Sequence, residues 1–73
     1  MTIQVGGLTV RLTPEHLRVM GLVARGKTYA QIGQELGLCT STVKNRVLDV
    51  KNRMGMHTRI EVVLALRDVG MLA

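Results

Sequence analysis

A single cysteine, Cys39, rules out an internal disulfide, and a lone thiol fits a reducing cytoplasm. The longest uninterrupted apolar run is Val62 to Leu66, far short of the ~20 residues that a helix needs to cross a membrane. The N-terminus lacks a cationic segment followed by an apolar stretch, so nothing there marks the chain for secretion. Acids are scarce. Five Asp and Glu stand against ten Lys and Arg, which leaves a formal charge of +5 and a pI near 10.4. That balance suits a protein that meets a polyanion, with nucleic acid the first candidate and an anionic membrane surface the second. No nucleophile, base and orienting acid converge, and no glycine-rich phosphate loop follows a strand, so nothing supports an enzyme. His16 and His57 lie far apart with no third ligand nearby, which argues against a metal site. Seventy-three residues provide one small core of marginal stability, so help from self-association is expected.

Residues 2–12, TIQVGGLTVRL, alternate apolar and polar on both sides of Gly6-Gly7. A Gly-Gly loop accepts the positive φ angles of a tight turn, which predicts a hairpin pairing Val5 with Leu8 and Ile3 with Val10. The alternative is an extended arm. From Thr13 onward the pattern is helical. Thr13-Pro14-Glu15 offers a cap, a proline at the first helical position and an early acid, and Gly26 stops the segment. Thr28 caps a short second helix whose Ile32 and Leu36 share a face, and Gly37 ends it. Within that helix Gly33 is a departure, since alanine would favour the helix by about 1 kcal/mol. A third helix starts near Thr40 and runs to Met54 before Gly55; a fourth, capped by His57 or Thr58, runs to about Val69 before Gly70. The expected architecture is an all-α four-helix bundle over residues 13–73, preceded by a hairpin or arm over 1–12. Met20, Met54, Met56 and Met71 read as core filler.

At about 100° per residue, Val43, Val47, Val50 and Met54 fall on one narrow stripe of the third helix, its buried face. Opposite lie Ser41, Asn45, Leu48 and Asn52, while Lys44 and Lys51 line one flank and Arg46 and Arg53 the other. An uncharged crest between cationic edges is what a helix entering the major groove of B-DNA needs: its middle meets base edges and its flanks meet phosphates. Taken by itself, the same pattern also fits an ordinary solvated face with snorkelling cations. The spacing of Ile32, Gly33, Leu36, Gly37, Leu38, Val43 and Val47 favours the first reading. In a helix-turn-helix unit a small residue lets two helices approach, a glycine makes the turn, and a later valine packs one helix across the other.

Residues 12–72, LTPEHLRVMGLVARGKTYAQIGQELGLCTSTVKNRVLDVKNRMGMHTRIEVVLALRDVGML, resemble the LuxR/GerE-type DNA-binding domain of bacterial transcription regulators. The resemblance is carried by Leu12-Thr13, Ala24, Gly26-Lys27-Thr28, Ile32, Leu36, Thr42-Val43-Lys44, Met54-Gly55, Arg59, Glu61, Val63 and Gly70-Met71-Leu72. It implies a helix-turn-helix bundle whose third helix enters the major groove and whose fourth forms a dimer interface. Thr42, Lys44 and Asn45 match groove-facing positions, and Thr28 and Tyr29 match the start of the scaffold helix, where phosphate contacts are expected. Departures are Arg46 for the usual histidine, Leu48 at a variable base-contacting position, and Asp49, which sets a negative charge near phosphate. Cys39 replaces a usual serine; with no second cysteine to resolve it, a plain substitution outweighs a redox switch. Glu15, His16, Leu17 and Arg18 replace the family's Arg-Glu-Arg-Glu run, so a salt bridge from there to the fourth helix is an open question for the structure. Sigma-factor region 4 shares the TVK-x-R turn but lacks the RIEVVLALRDVGML helix, so the fourth helix decides for the LuxR side.

On the fourth helix Val62, Val63, Leu66 and Val69 form one apolar face, and Ile60 and Leu64 lie on the far side beside Arg67. A second apolar stripe points to a second contact, although scattered exposed Ile and Leu are common. The resulting expectation is a bacterial or phage-encoded, cytoplasmic, nucleoid-associated regulator that binds double-stranded DNA as a homodimer through Ile60, Leu64 and Arg67. Lys51, Arg46, Arg53 and Thr28 would meet phosphates, and Lys44, Asn45, Ser41 and Leu48 would read base edges or the thymine methyl. No cofactor, membrane contact or small-molecule ligand is expected. The rival expectation is an interaction protein that pairs with a larger LuxR-type regulator and silences it. That rival is raised because no sensor or phosphoacceptor domain accompanies the module, and Asp49 in the groove face is the feature that favours it.

Overall fold

Thr2–Val5 (β1) and Leu8–Arg11 (β2) pair antiparallel in the computed structural model, which describes residues 2–5 and 7–72. The register is the expected one, with Ile3 opposite Val10 and Val5 opposite Leu8. Gly7 takes a positive φ of 85°; Gly6, the other half of the expected turn, lies outside the described residues. An isolated two-stranded hairpin is marginal in water, so it needs a surface to lean on. Here that surface is the helical body: Ile3 and Val10 are buried in the common core, and β2 packs against the third helix.

Four helices follow: Pro14–Ala24 (α1), Tyr29–Leu36 (α2), Thr40–Met54 (α3) and Arg59–Asp68 (α4). Three of the four N-termini close with a threonine whose Oγ1 accepts a backbone N–H three residues on, satisfying a donor that the helix leaves orphaned. At α1 and α2 the bond is reciprocal. Gln31 Oε1 accepts from the Thr28 N–H at 2.9 Å, and His16 Nδ1 accepts from the Thr13 N–H at 3.0 Å. Cys39 caps α3 without a side-chain hydrogen bond.

The valine row of α3 is the centre of the core. Val43, Val47, Val50 and Met54 are buried together with Val19 and Met20 of α1, Ile32 of α2, and Val62 and Leu66 of α4. Met56 and Met71 are partly buried against this cluster. Helix α4 stops at Asp68, one residue short of the expected end, and Val69 is 40% exposed rather than part of the buried face. Val69 is the C-cap, and its N–H still donates to the Ala65 carbonyl at 3.2 Å.

The α2–α3 junction corrects the expectation for Gly33. A Cβ at that position would run into the backbone carbonyl oxygen of Leu38, whose N–H in turn donates to the Gly33 carbonyl at 2.7 Å. The bare glycine is therefore a steric requirement of the turn, outweighing the ~1 kcal/mol that alanine gains from helix propensity. Gly37 supplies the left-handed residue, φ 71° and ψ 33°, that reverses the chain within the turn.

Candidate nucleic-acid interface

Burial of the valine row leaves the opposite face of α3 in solvent. Ser41, Asn45 and Asn52 are exposed, as is Leu48 at 47%. An exposed leucine among amides is a hydrophobic group without a partner inside the fold, available to an apolar atom outside it. Thr42 is half-buried beside this crest. Lys44 is exposed and Lys51 half-buried along one flank, and neither has an ion-pair partner among the described residues.

The other flank is wired into the fold. Arg46 Nε lies 3.3 Å from Glu15 Oε1 of α1. Arg53 donates from Nε to Asp49 Oδ1 at 3.0 Å and from Nη1 to the Arg11 carbonyl at the end of β2 at 3.1 Å. Asp49 receives a second group, the buried His16 ring, whose Nε2 lies 2.8 Å from Oδ2. Because Nδ1 spends its lone pair on the Thr13 N–H, the ring proton sits on Nε2 and is donated to the carboxylate. The Arg53 hydrogen bond above all, and that from His16, hold the Asp49 carboxyl below its usual range, although partial desolvation pushes the other way. Two Arg–carboxylate ion pairs and the His16–Asp49 hydrogen bond thus occur among the described residues, and none of them joins α1 to α4.

At the start of α2 the Thr28 hydroxyl oxygen accepts from the Gln31 N–H at 3.1 Å, which leaves its own proton free to donate outward. The half-buried Tyr29 ring lies 5.3 Å from the Arg59 guanidinium carbon, so a cation from α4 stacks over the residue at the scaffold helix's first turn. On the outer side of α4, Ile60 is 67% exposed, Leu64 55%, and Arg67 is exposed beside them. The crest and flanks of α3 and the N-terminus of α2 thus lie on the helix-turn-helix pair, while the α4 stripe is a separate surface.

Sequence reasoning missed the residues that anchor α3. From sequence His16 reads as an isolated imidazole and as a departure from the family's Arg-Glu-Arg-Glu run, although Thr13-x-x-His16 has the spacing of a capping box with imidazole in place of the usual carboxylate or amide. Asp49 was assigned only a repulsive role. Its spacing to Arg53 (i, i+4) is a readable signal for a pair, but nothing local announces His16, 33 positions away.

Geometry of this kind is shared with known proteins. The family described as "Bacterial regulatory proteins, luxR family" matches residues 10–66. The chain is 38% identical over 64 residues to the HTH-type transcriptional activator RamA of Corynebacterium glutamicum, covering 88% of this chain and 23% of that protein. It is 41% identical over 61 residues to the two-component response regulator PprB of Pseudomonas aeruginosa, covering 84% and 22% respectively. It therefore spans about a quarter of the length of these relatives. Among solved structures, transcription factor GerE superposes with a TM-score of 0.82 at 24% identity, over 85% of this chain and 92% of that one, which shows a common fold. With the match running from β2 through the helix-turn-helix and most of α4, the chain belongs to the luxR family of bacterial regulatory proteins.

Proposed function

We propose that the chain is a sequence-specific duplex DNA-binding transcription regulator that lays α3 in the major groove. The carrying observation is the crest of α3, uncharged and exposed at Asn45 and Leu48, held outward by the buried valine row. In this reading Lys44, Asn45 and Ser41 offer hydrogen bonds to base edges, Leu48 offers contact to a thymine methyl, and Thr42 and Asn52 border them. Lys51, Thr28 and Tyr29 meet phosphates on one side; Arg46 and Arg53 meet them on the other. Arg53 can hold Asp49, the Arg11 carbonyl and a phosphate together, because a guanidinium carries five N–H donors and the fold uses two. The relatives' names, a transcriptional activator and a response regulator, support the same role.

Residues 13–73 would form the DNA-binding unit and 1–12 its N-terminal addition. Two copies would meet through Ile60, Leu64 and Arg67 of α4, and twofold symmetry would place their α3 helices about one DNA turn apart on an inverted repeat. A cytoplasmic, nucleoid-associated location accompanies this reading. The rival, pairing with a larger LuxR-type regulator through α4 or the hairpin edge, rested partly on Asp49 repelling phosphate. Its carboxylate is bound by Arg53 and His16 on the flank, which offsets that repulsion.

Selection of bound duplexes from a random pool tests the proposal. Enrichment of an inverted repeat whose half-site centres lie about 10 base pairs apart is the expected result. Absence of salt-dependent binding to any duplex at moderate ionic strength would overturn it in favour of a protein partner.

A further inference from the structure

We propose that the N-terminal hairpin is a second DNA-contacting element, in which Arg11 grips the phosphate backbone on the side of the groove faced by Arg46 and Arg53. This rests on the reading of α3 as the groove helix and extends it to the hairpin, most of which precedes residue 10, where the family match begins.

Charge on the two flanks of α3 motivates the assignment. A major groove is walled by phosphates on both sides, so a helix lying in it is best served by cations on both flanks. Lys44 and Lys51 provide two cations without acidic partners among the described residues. On the opposite flank Arg46 and Arg53 are matched by Glu15 and Asp49, so two positive and two negative charges cancel. The side that should face a wall of phosphates is electrostatically spent.

The hairpin lies on that same side. Arg53 Nη1 holds the Arg11 carbonyl at 3.1 Å, which brings the end of β2 against the flank of α3. With Ile3 and Val10 turned into the core, the strand register puts Thr2, Gln4, Thr9 and Arg11 on the outer face, and all four are exposed. Residues 2–12 contain no acid, and the Arg11 guanidinium has no acceptor among the described residues. It is thus an uncommitted cation beside a neutralised flank, next to hydroxyls and an amide that also suit phosphate oxygens. The outer face lacks the apolar area that a protein or lipid occupant would cover, and its chemistry matches a sugar-phosphate backbone.

Substitution of the Arg11 side chain leaves its carbonyl, and hence the bond to Arg53, in place. Binding of the full chain to a fluorescein-labelled random-sequence duplex, followed by anisotropy across a salt series, tests the assignment. Arg11→Gln should flatten the slope of log K against log salt by about 0.9 and weaken binding about eightfold at ~0.1 M salt, while Arg11→Lys should keep both. Thr9→Lys, which adds a cation to the same face, should steepen the slope by a similar amount, a gain that a folding defect cannot imitate. If Arg11→Gln and Thr9→Lys both keep the parental slope while Lys51→Gln lowers it, the hairpin faces away from DNA and the inference fails by itself. If the parental chain shows no salt-dependent binding, the reading of α3 fails and takes the inference with it.

Discussion

Lys44 and Lys51 stand along one flank of α3 with no acid beside them among the described residues, whereas Arg46 and Arg53 on the other flank are held by Glu15 at 3.3 Å and Asp49 at 3.0 Å. Formal charge alone makes these edges equivalent. The fold does not. The ammonium groups are point charges on flexible stems, free to follow a phosphate, while the guanidinium groups are planar forks that grip several acceptors at fixed angles. The Arg flank accordingly serves the architecture: through Asp49 and Arg53 it ties α3 to His16 of α1 and to the end of β2. A cationic helix face can thus be half ligand surface and half internal brace.

The largest effect should come from breaking the brace at its buried end. His16→Ala removes a fully packed ring, the reciprocal cap of α1 and the hydrogen bond to Asp49, and should lower stability by about 3 kcal/mol. Urea unfolding at neutral pH measures it, and an unchanged midpoint would remove His16 from the brace. Lys51→Ala, by contrast, should leave that midpoint where it is.

Next in size are the groove contacts. Lys44→Ala and Asn45→Ala should each weaken binding to the selected site by ~1 to 3 kcal/mol, and Asn45→Ala, which removes no charge, should spare random duplex. Equal losses on both DNAs for Asn45→Ala would show that the crest does not read bases.

A sharper comparison of the flanks pairs two variants of opposite sign. Lys51→Ala should weaken binding to all duplexes alike and reduce the salt slope by about 0.9. Glu15→Gln releases Arg46 from its ion pair and should strengthen binding on all sequences, steepening the slope by no more than that. A Glu15→Gln protein indistinguishable from the parent would mean that the Arg46 flank does not approach phosphate.

The smallest expected effect is on acid stability. With the folded-state pKa of Asp49 lowered by Arg53 and His16, its contribution is complete above the ordinary carboxylate range and is lost as pH falls through the lowered value. Exposure of the pair keeps that contribution small. Asp49→Asn should flatten the fall in thermal midpoint below about pH 4. Parallel midpoint curves for the two proteins would show that the pair has no weight in the acid limb.

The helices were readable because their signals are local. A capping threonine, a proline at the first turn, a left-handed glycine and an apolar stripe at helical spacing act within one segment, and α3 ends where its residues alone place its ends. The exposed crest follows from the same periodicity, since burying Val43, Val47 and Val50 directs Asn45 and Leu48 outward. Helix propensity counts Gly33 as a departure because it describes an isolated helix, whereas the obstacle to a Cβ is a carbonyl that the next turn brings in. Val69 is exposed at the C-cap although its N–H still donates to the Ala65 carbonyl, because periodicity gives a side chain's direction and not whether a neighbour covers it.

Sequence alone determined the four helices, the hairpin register, the buried valine row and the amide-and-leucine crest, each dictated by a repeat of two or 3.6 residues along a single element. Only the tertiary structure decided that Arg46 is paired and what Arg53 and Asp49 hold besides each other. Ion pairing depends on what lies within a few ångströms across the core, and Arg53 meets Arg11 and Asp49 meets His16 only once α1 and β2 have docked on α3.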